Sequence, residues 1–122
     1  MARLIHFELN VENIEKTIKF YEGVFGWKFE KWDGPLDYWL INTGEESEKG
    51  IDGGLGLLEE GFPSVVNTIE VGNIELVIKT IKNNGGEIIR PKHAVPGVGW
   101  IAYFKDPEGI VSGIMQEDPN AK

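Results

Sequence analysis

The chain has no cysteine. That excludes disulfides, thiolate metal ligands and a thiol nucleophile. Arginine is nearly missing too: only Arg3 and Arg90 occur, and no basic stripe runs through the sequence. With a formal net charge of −8 and a pI near 4.7, the chain lacks the clustered cations that meet nucleic-acid phosphates. A nucleic-acid partner is therefore not expected. No apolar run approaches the roughly 18 residues of a membrane span, and Met1-Ala2-Arg3-Leu4 leads into a strand-like pattern without a long apolar leader. No membrane partner is expected, and the cytoplasm is the default location. A Ser-His-Asp order, a P-loop and a dinucleotide fingerprint are also missing. Gly53-Gly54-Leu55-Gly56 has neither the spacing nor the following helix that phosphate cradling needs.

What the sequence does have is a repeat. Leu4–Ile14 reads LIHFELNVENI and Ser64–Ile74 reads SVVNTIEVGNI. At an offset of 60, Val11 matches Val71, Asn13 matches Asn73, Ile14 matches Ile74, Ile18 matches Ile78 and Gly26 matches Gly86. In the first copy, Ile5, Phe7 and Leu9 alternate with His6, Glu8 and Asn10, a strand pattern. Asn13 then reads as a helix N-cap, and Ile14, Ile18, Tyr21 and Phe25 form one apolar helical face, with Gly23 and Gly26 bracketing the helix end. Strands are expected over Trp27–Trp32, Tyr38–Ile41 and Gly54–Leu58, with a polar loop from Gly44 to Gly54. The second copy predicts a strand over Val65–Val71, a helix capped by Asn73, and strands over Glu87–Arg90, Val98–Phe104 and Ile110–Met115. His93 falls in a loop as a surface histidine, and the tail from Gln116 to Lys122 reads as frayed.

Each copy is thus βαβββ. The fold class is α+β: two such modules forming a curved eight-stranded mixed sheet, an incomplete barrel, with helices on its outer face. With 122 residues the chain is one domain, module one spanning about 3–60 and module two about 64–117. The concave face between the modules is the expected pocket.

The paired modules, the stretch FYEGVFGWKFE (Phe20–Glu30) and FKDPEG (Phe104–Gly109) resemble the glyoxalase/bleomycin-resistance family of the vicinal oxygen chelate superfamily. The resemblance runs from Leu4 to Gln116. It implies a divalent metal held in the concave face by one His, Glu or Gln from the first and last strand of each module, with open positions that polarise substrate oxygens. Carried onto this sequence, those positions fall on His6, on Val66, on Gly113, and within Gly54-Leu55-Gly56. Only His6 is a donor. Glu8, Glu70 and Gln116 are the nearby alternative oxygens.

His6 therefore has three readings: a metal ligand, a pocket-lining hydrogen-bonding or acid–base group, or a structurally satisfied histidine. Glu8 and Glu70 either face inward, desolvated, or sit solvated at a rim. Among the third-strand aromatics Tyr38, Trp39, Trp100 and Tyr103, the expectation puts Trp39 and Trp100 inward, while Trp27 and Trp32 pack or form an interface. The cavity candidates are His6, Glu8, Trp39, Thr68, Glu70, Trp100 and Met115. The cofactor expectation is none, or a weakly held divalent metal at His6. The expected function is binding of a small molecule, by stacking, shape and charge, in a homodimer. The alternatives are a divergent metal-dependent lyase, isomerase or dioxygenase using His6 with Glu8 or Glu70, and a non-catalytic scaffold.

Overall fold

A computed structural model describes residues 2–122. The element order is β1(Arg3–Val11), α1(Ile14–Phe25), β2(Lys28–Lys31), β3(Tyr38–Asn42), β4(Asp52–Leu57), β5(Val65–Glu70), α2(Ile74–Asn83), β6(Glu87–Val95), β7(Gly99–Lys105) and β8(Val111–Glu117). The eight strands form one mixed sheet in the order β2-β3-β4-β1-β5-β8-β7-β6, not closed into a barrel. This is the α+β, twice-βαβββ architecture that the repeat predicts. Two compact units divide the chain, His6–Val66 and Asn67–Lys122, the second including the start of β1. Among the described residues, no helix is long and apolar enough to cross a membrane.

Within His6–Val66, β1 pairs in parallel with β4, and β3 runs antiparallel to both β2 and β4. Helix α1 starts where the Asn13 side chain accepts a hydrogen bond from the Lys16 amide at 2.9 Å. It stops at Gly26, whose φ of 71° is left-handed and needs a residue without Cβ. The helix has no fully buried residue. It is held by aromatics instead: Tyr21 stacks on Trp27 at 5.0 Å between centroids, and Phe7 lies 5.8 Å from the same indole. Ile41, Leu55 and Val66 are the buried aliphatic side chains of this half.

Within Asn67–Lys122 the packing is more conventional. Asn73 caps α2 by accepting from the Leu76 amide, and Ile74, 1% exposed, plugs into a core of Val71, Ala102 and Ile114. Ile69, Val77, Ile78, Ile81, Trp100 and Phe104 extend that core. Alternation along β7 and β8 thus turns Trp100, Ala102, Phe104 and Ile114 toward α2, and Ile101, Tyr103, Gly113 and Met115 away from it.

Three local expectations change. Strand β6 continues through His93 to Val95, because register shifts between Ile88 and Arg90, and between Arg90 and His93, let an edge strand pass Pro91. His93 stays exposed, with Nδ1 2.9 Å from the Pro91 carbonyl oxygen. The tail is pinned rather than frayed: the Gly97 amide donates to the Ala121 carbonyl, the Asp118 amide donates to the Val98 carbonyl, and Ala121 is buried. Its polar composition hid these backbone bonds. Finally, β4 begins at Asp52, two residues before the expected glycine run, because Asp52 pairs with His6.

Candidate functional site

In the His6–Val66 unit, His6, Glu8 and Asn10 project from one face of β1, and the pairing sets them beside Asp52, Gly54 and Gly56 of β4. Tyr38 from β3 joins that face. Its hydroxyl shares a 3.1 Å hydrogen bond with His6 Nε2. The tyrosine can lie there only because position 54 has no side chain: a Cβ on Gly54 would run into the Tyr38 hydroxyl and ring carbons. Glu8 and Asn10 are buried, and Asn10 Nδ2 donates both to Glu8 Oε2 at 3.3 Å and to the Pro63 carbonyl at 3.0 Å. The amide thereby ties the carboxylate to the segment before β5.

Burial sets the protonation of this group. Desolvation holds the His6 imidazole below its usual range, opposed by the nearby Asp52 carboxylate. At neutral pH it is an uncharged ring with one donor and one acceptor nitrogen. Desolvation, with Glu8 beside it, pushes the Tyr38 phenol well above its ordinary value, so its proton stays on. His6 also lines a cavity of about 690 Å³, whose wall includes Lys28, Glu30, Leu40, Glu45 and Asp52. That is within the usual size range for small-molecule pockets.

In the Asn67–Lys122 unit, the face turned away from α2 carries Thr68 opposite Gly113 and Glu70 opposite Met115. Tyr103 of β7 pairs with Gly113 from the other side. A Cβ on Gly113 would sit 3.2 Å from Tyr103 Cε1 and 3.3 Å from Thr68 Oγ1. Tyr103 is buried, with the Arg90 guanidinium 5.8 Å from its ring centroid. Thr68 is 1% exposed, and its hydroxyl has no hydrogen-bond partner. Glu70 and Met115 are half-buried.

The two tryptophans expected to face the cavity do not. Trp39 alternates with Tyr38 and so leaves the His6 face; it pairs with buried Leu55, with Lys31 Nζ 5.3 Å from its ring. Trp100 packs on the α2 core, donates from Nε1 to Asp118 at 3.0 Å and is covered by Lys92 Nζ at 4.6 Å. An indole N–H needs an acceptor when half-buried, and Asp118 supplies one on the helix side. Gln116, a candidate oxygen donor, is also spoken for: its Oε1 accepts from the Ile74 amide at 2.9 Å. In each unit the polar face therefore carries the tyrosine, Tyr38 or Tyr103, and not the tryptophan of the same strand.

The sequence model of the glyoxalase/bleomycin resistance protein/dioxygenase superfamily matches residues 3–112. The chain belongs to this superfamily. Among relatives of this superfamily chain, a probable lactoylglutathione lyase of Vibrio cholerae is 28% identical over 93% of the chain and 90% of its own length. The lactoylglutathione lyase of Escherichia coli O157:H7 is 26% identical, covering 94% of the chain and 93% of that protein. Among solved structures, a hypothetical protein from Bacillus halodurans C-125 superposes with a TM-score of 0.71 at 22% identity, covering 99% of this chain and 98% of that one. Methylmalonyl-CoA epimerase from Mycobacterium tuberculosis gives 0.66 at 14% identity, covering 95% and 88%. At those identities the structures show the shared fold alone.

The metal that the superfamily resemblance implies does not fit the residues present. Of the four positions it assigns, Val66 has no donor, Gly113 has no side chain and lies against Tyr103, and Gly54 lies under Tyr38. Among the described residues, no group of three His, Cys, Asp or Glu could hold a metal ion. His6 is left as a single donor engaged with a phenol. Sequence reasoning missed Tyr38 as the partner of His6. The available signal was a third-strand tyrosine beside last-strand glycines in both halves: Tyr38 pairs with Gly56 and lays its ring over Gly54, and Tyr103 pairs with Gly113, but reading it needs the strand register and the ring position.

Proposed function

We propose that this superfamily member is a small-molecule-binding protein that works without a metal, holding its ligand in the cavity lined by His6. One observation carries the reading: a half-buried, neutral histidine, fixed by a tyrosine hydroxyl, stands at a 690 Å³ cavity where the family pattern would set the first of four metal ligands. The hydrogen bond orients the imidazole, and its remaining nitrogen can bond a ligand. Glu30, Glu45 and Asp52 outnumber Lys28 on the wall, which favours a ligand bearing a cationic or N–H-donating group and an apolar body to lie against Leu40. Glu8, Thr68, Glu70 and Met115 remain candidates for ligand contact. We further propose that the chain is a single domain and forms a homodimer, which sedimentation at varied concentration tests.

A thermal-shift panel of cationic antibiotics and aromatic amines on metal-stripped protein tests the reading. Stabilisation by one ligand, weakened at least about tenfold in His6→Ala, is the expected result; loss of a side chain that both packs and hydrogen-bonds a ligand is worth about 1.4 kcal/mol or more. A second reading, a divergent metal-dependent lyase, is supported by the names of the relatives above. Offering Ni, Zn, Mn and Fe decides between the two: one metal per chain, lost in His6→Ala, would overturn the metal-free reading.

A further inference from the structure

We propose that the Thr68 hydroxyl forms the floor of a second hydrogen-bonding subsite, roofed by Tyr103, that takes an uncharged amide or carbonyl group of a small ligand. The inference deepens the binding reading and rests on it, but its residues all lie in the other compact unit. Thr68 is 1% exposed and its Oγ1 makes no hydrogen bond, the one such side-chain atom among the described residues. A buried hydroxyl without a partner costs stability, whereas valine would fill the same shape at no polar cost. An unmade bond in that position is half of an interaction that a ligand can complete.

The neighbourhood sets the chemistry. Gly113 lies directly across from Thr68 and presents no side chain; a Cβ there would sit 3.3 Å from the hydroxyl and 3.2 Å from the Tyr103 ring edge, so hydroxyl and ring flank the same gap. A ligand reaches the hydroxyl when the Tyr103 ring turns out of this gap, giving up its contact with Arg90. The exposed floor would then hold one neutral donor–acceptor, with the methyl of Met115 and the carboxylate of Glu70 on the same face. Glu70 disfavours an anion there. A cation buried against a lone hydroxyl would lose more hydration than it regains. An uncharged group that both accepts and donates, such as an amide, matches what remains.

The test uses the whole chain with labelled Thr and Met methyl groups, followed by NMR during titration with acetamide, and with acetate and methylammonium as charged controls. Acetamide is expected to move the Thr68 and Met115 signals saturably, and the two ions are not. In Thr68→Val the Met115 response is lost while the melting temperature of the ligand-free protein rises. Thr68→Ser keeps the response, and Tyr103→Ala strengthens it by removing the roof. An unchanged Met115 response in Thr68→Val overturns the proposal. So does a lower melting temperature for that variant, since it would mean the hydroxyl is already satisfied. No saturable response in wild type and Tyr103→Ala overturns it as well, and equal responses to acetate or methylammonium overturn the uncharged class. The cationic-ligand panel is scored separately, so failure at His6 and failure at Thr68 are distinguishable.

Discussion

The two halves of this chain carry the same pattern but are held together differently. In Asn67–Lys122, α2 drives Ile74 into an aliphatic core and is clamped at its start by Gln116. In His6–Val66, α1 buries no residue completely and leans on Tyr21 and Trp27, while Phe20, Val24 and Phe25 remain more than half exposed. The polar faces differ as well. One half has a hydrogen-bonded His6–Tyr38 pair beside a buried carboxylate; the other has a buried hydroxyl with no partner under Tyr103. The two halves share an element order, yet each has its own source of stability and its own polar chemistry.

The sharpest test of that contrast replaces the matched isoleucines. Ile74→Ala should cost about 3 kcal/mol, the range for truncating a buried isoleucine, while Ile14→Ala, only half-buried, should cost about 1 kcal/mol. Urea denaturation checks both, and equal losses would erase the difference between the helices. Next comes the glycine pair. Gly54→Ala should cost about 2 kcal/mol, because the new methyl displaces the Tyr38 ring and its bond to His6, whereas Gly113→Ala, meeting Tyr103 at 3.2 Å and Thr68 at 3.3 Å, tight contacts that a shift of a few tenths of an ångström relieves, should cost about 1 kcal/mol. A Tyr38→Ala background should abolish most of the Gly54→Ala penalty. If the two single losses match, or the background changes nothing, the tyrosine is not what makes Gly54 necessary.

Titration sharpens the same comparison. The Tyr38 phenol is raised in the folded protein, so above the ordinary tyrosine range near pH 10 the unfolded chain loses a proton that the native chain keeps. Stability should therefore fall as pH rises through that value, and Tyr38→Phe should fall less steeply. His6 is shifted the other way, held low by burial. Its unfolded form gains a proton as pH drops through about 6.5 before the folded form does, so stability should decline on acidification and decline less in His6→Gln. Melting temperatures across pH 4–11 on the three proteins read both slopes. The smallest effect expected is at the helix caps: Asn13→Ala and Asn73→Ala should each cost about 1 kcal/mol, nearly alike, because both side chains accept the same bond from the third residue of their helix.

Much of the fold was legible because it rests on local rules. The Asn13 and Asn73 caps, the αL glycine at 26 and the period-two alternation of β1 are visible in single segments. The site was legible only as far as His6. Which face an aromatic takes depends on strand register, and in Tyr38-Trp39 and Trp100 to Tyr103 both faces carry an aromatic, so alternation alone leaves the choice open. The choice fell to groups far along the chain: Gly54 made room for Tyr38, and Asp118 drew the Trp100 indole to the other side. The strand through Pro91 and the pinned tail were hidden for a related reason, since backbone bonds leave no mark in composition.

The packing of Tyr38 over Gly54 also constrains how this chain could change. A carboxylate placed at position 54 would meet the tyrosine ring, and a small residue placed at 38 would leave His6 without its partner and a void beside it. Either step alone costs stability, so placing a metal-ligating carboxylate at position 54 would need both at once. The tyrosine over the glycine acts as a ratchet tooth, cheap to engage and hard to reverse.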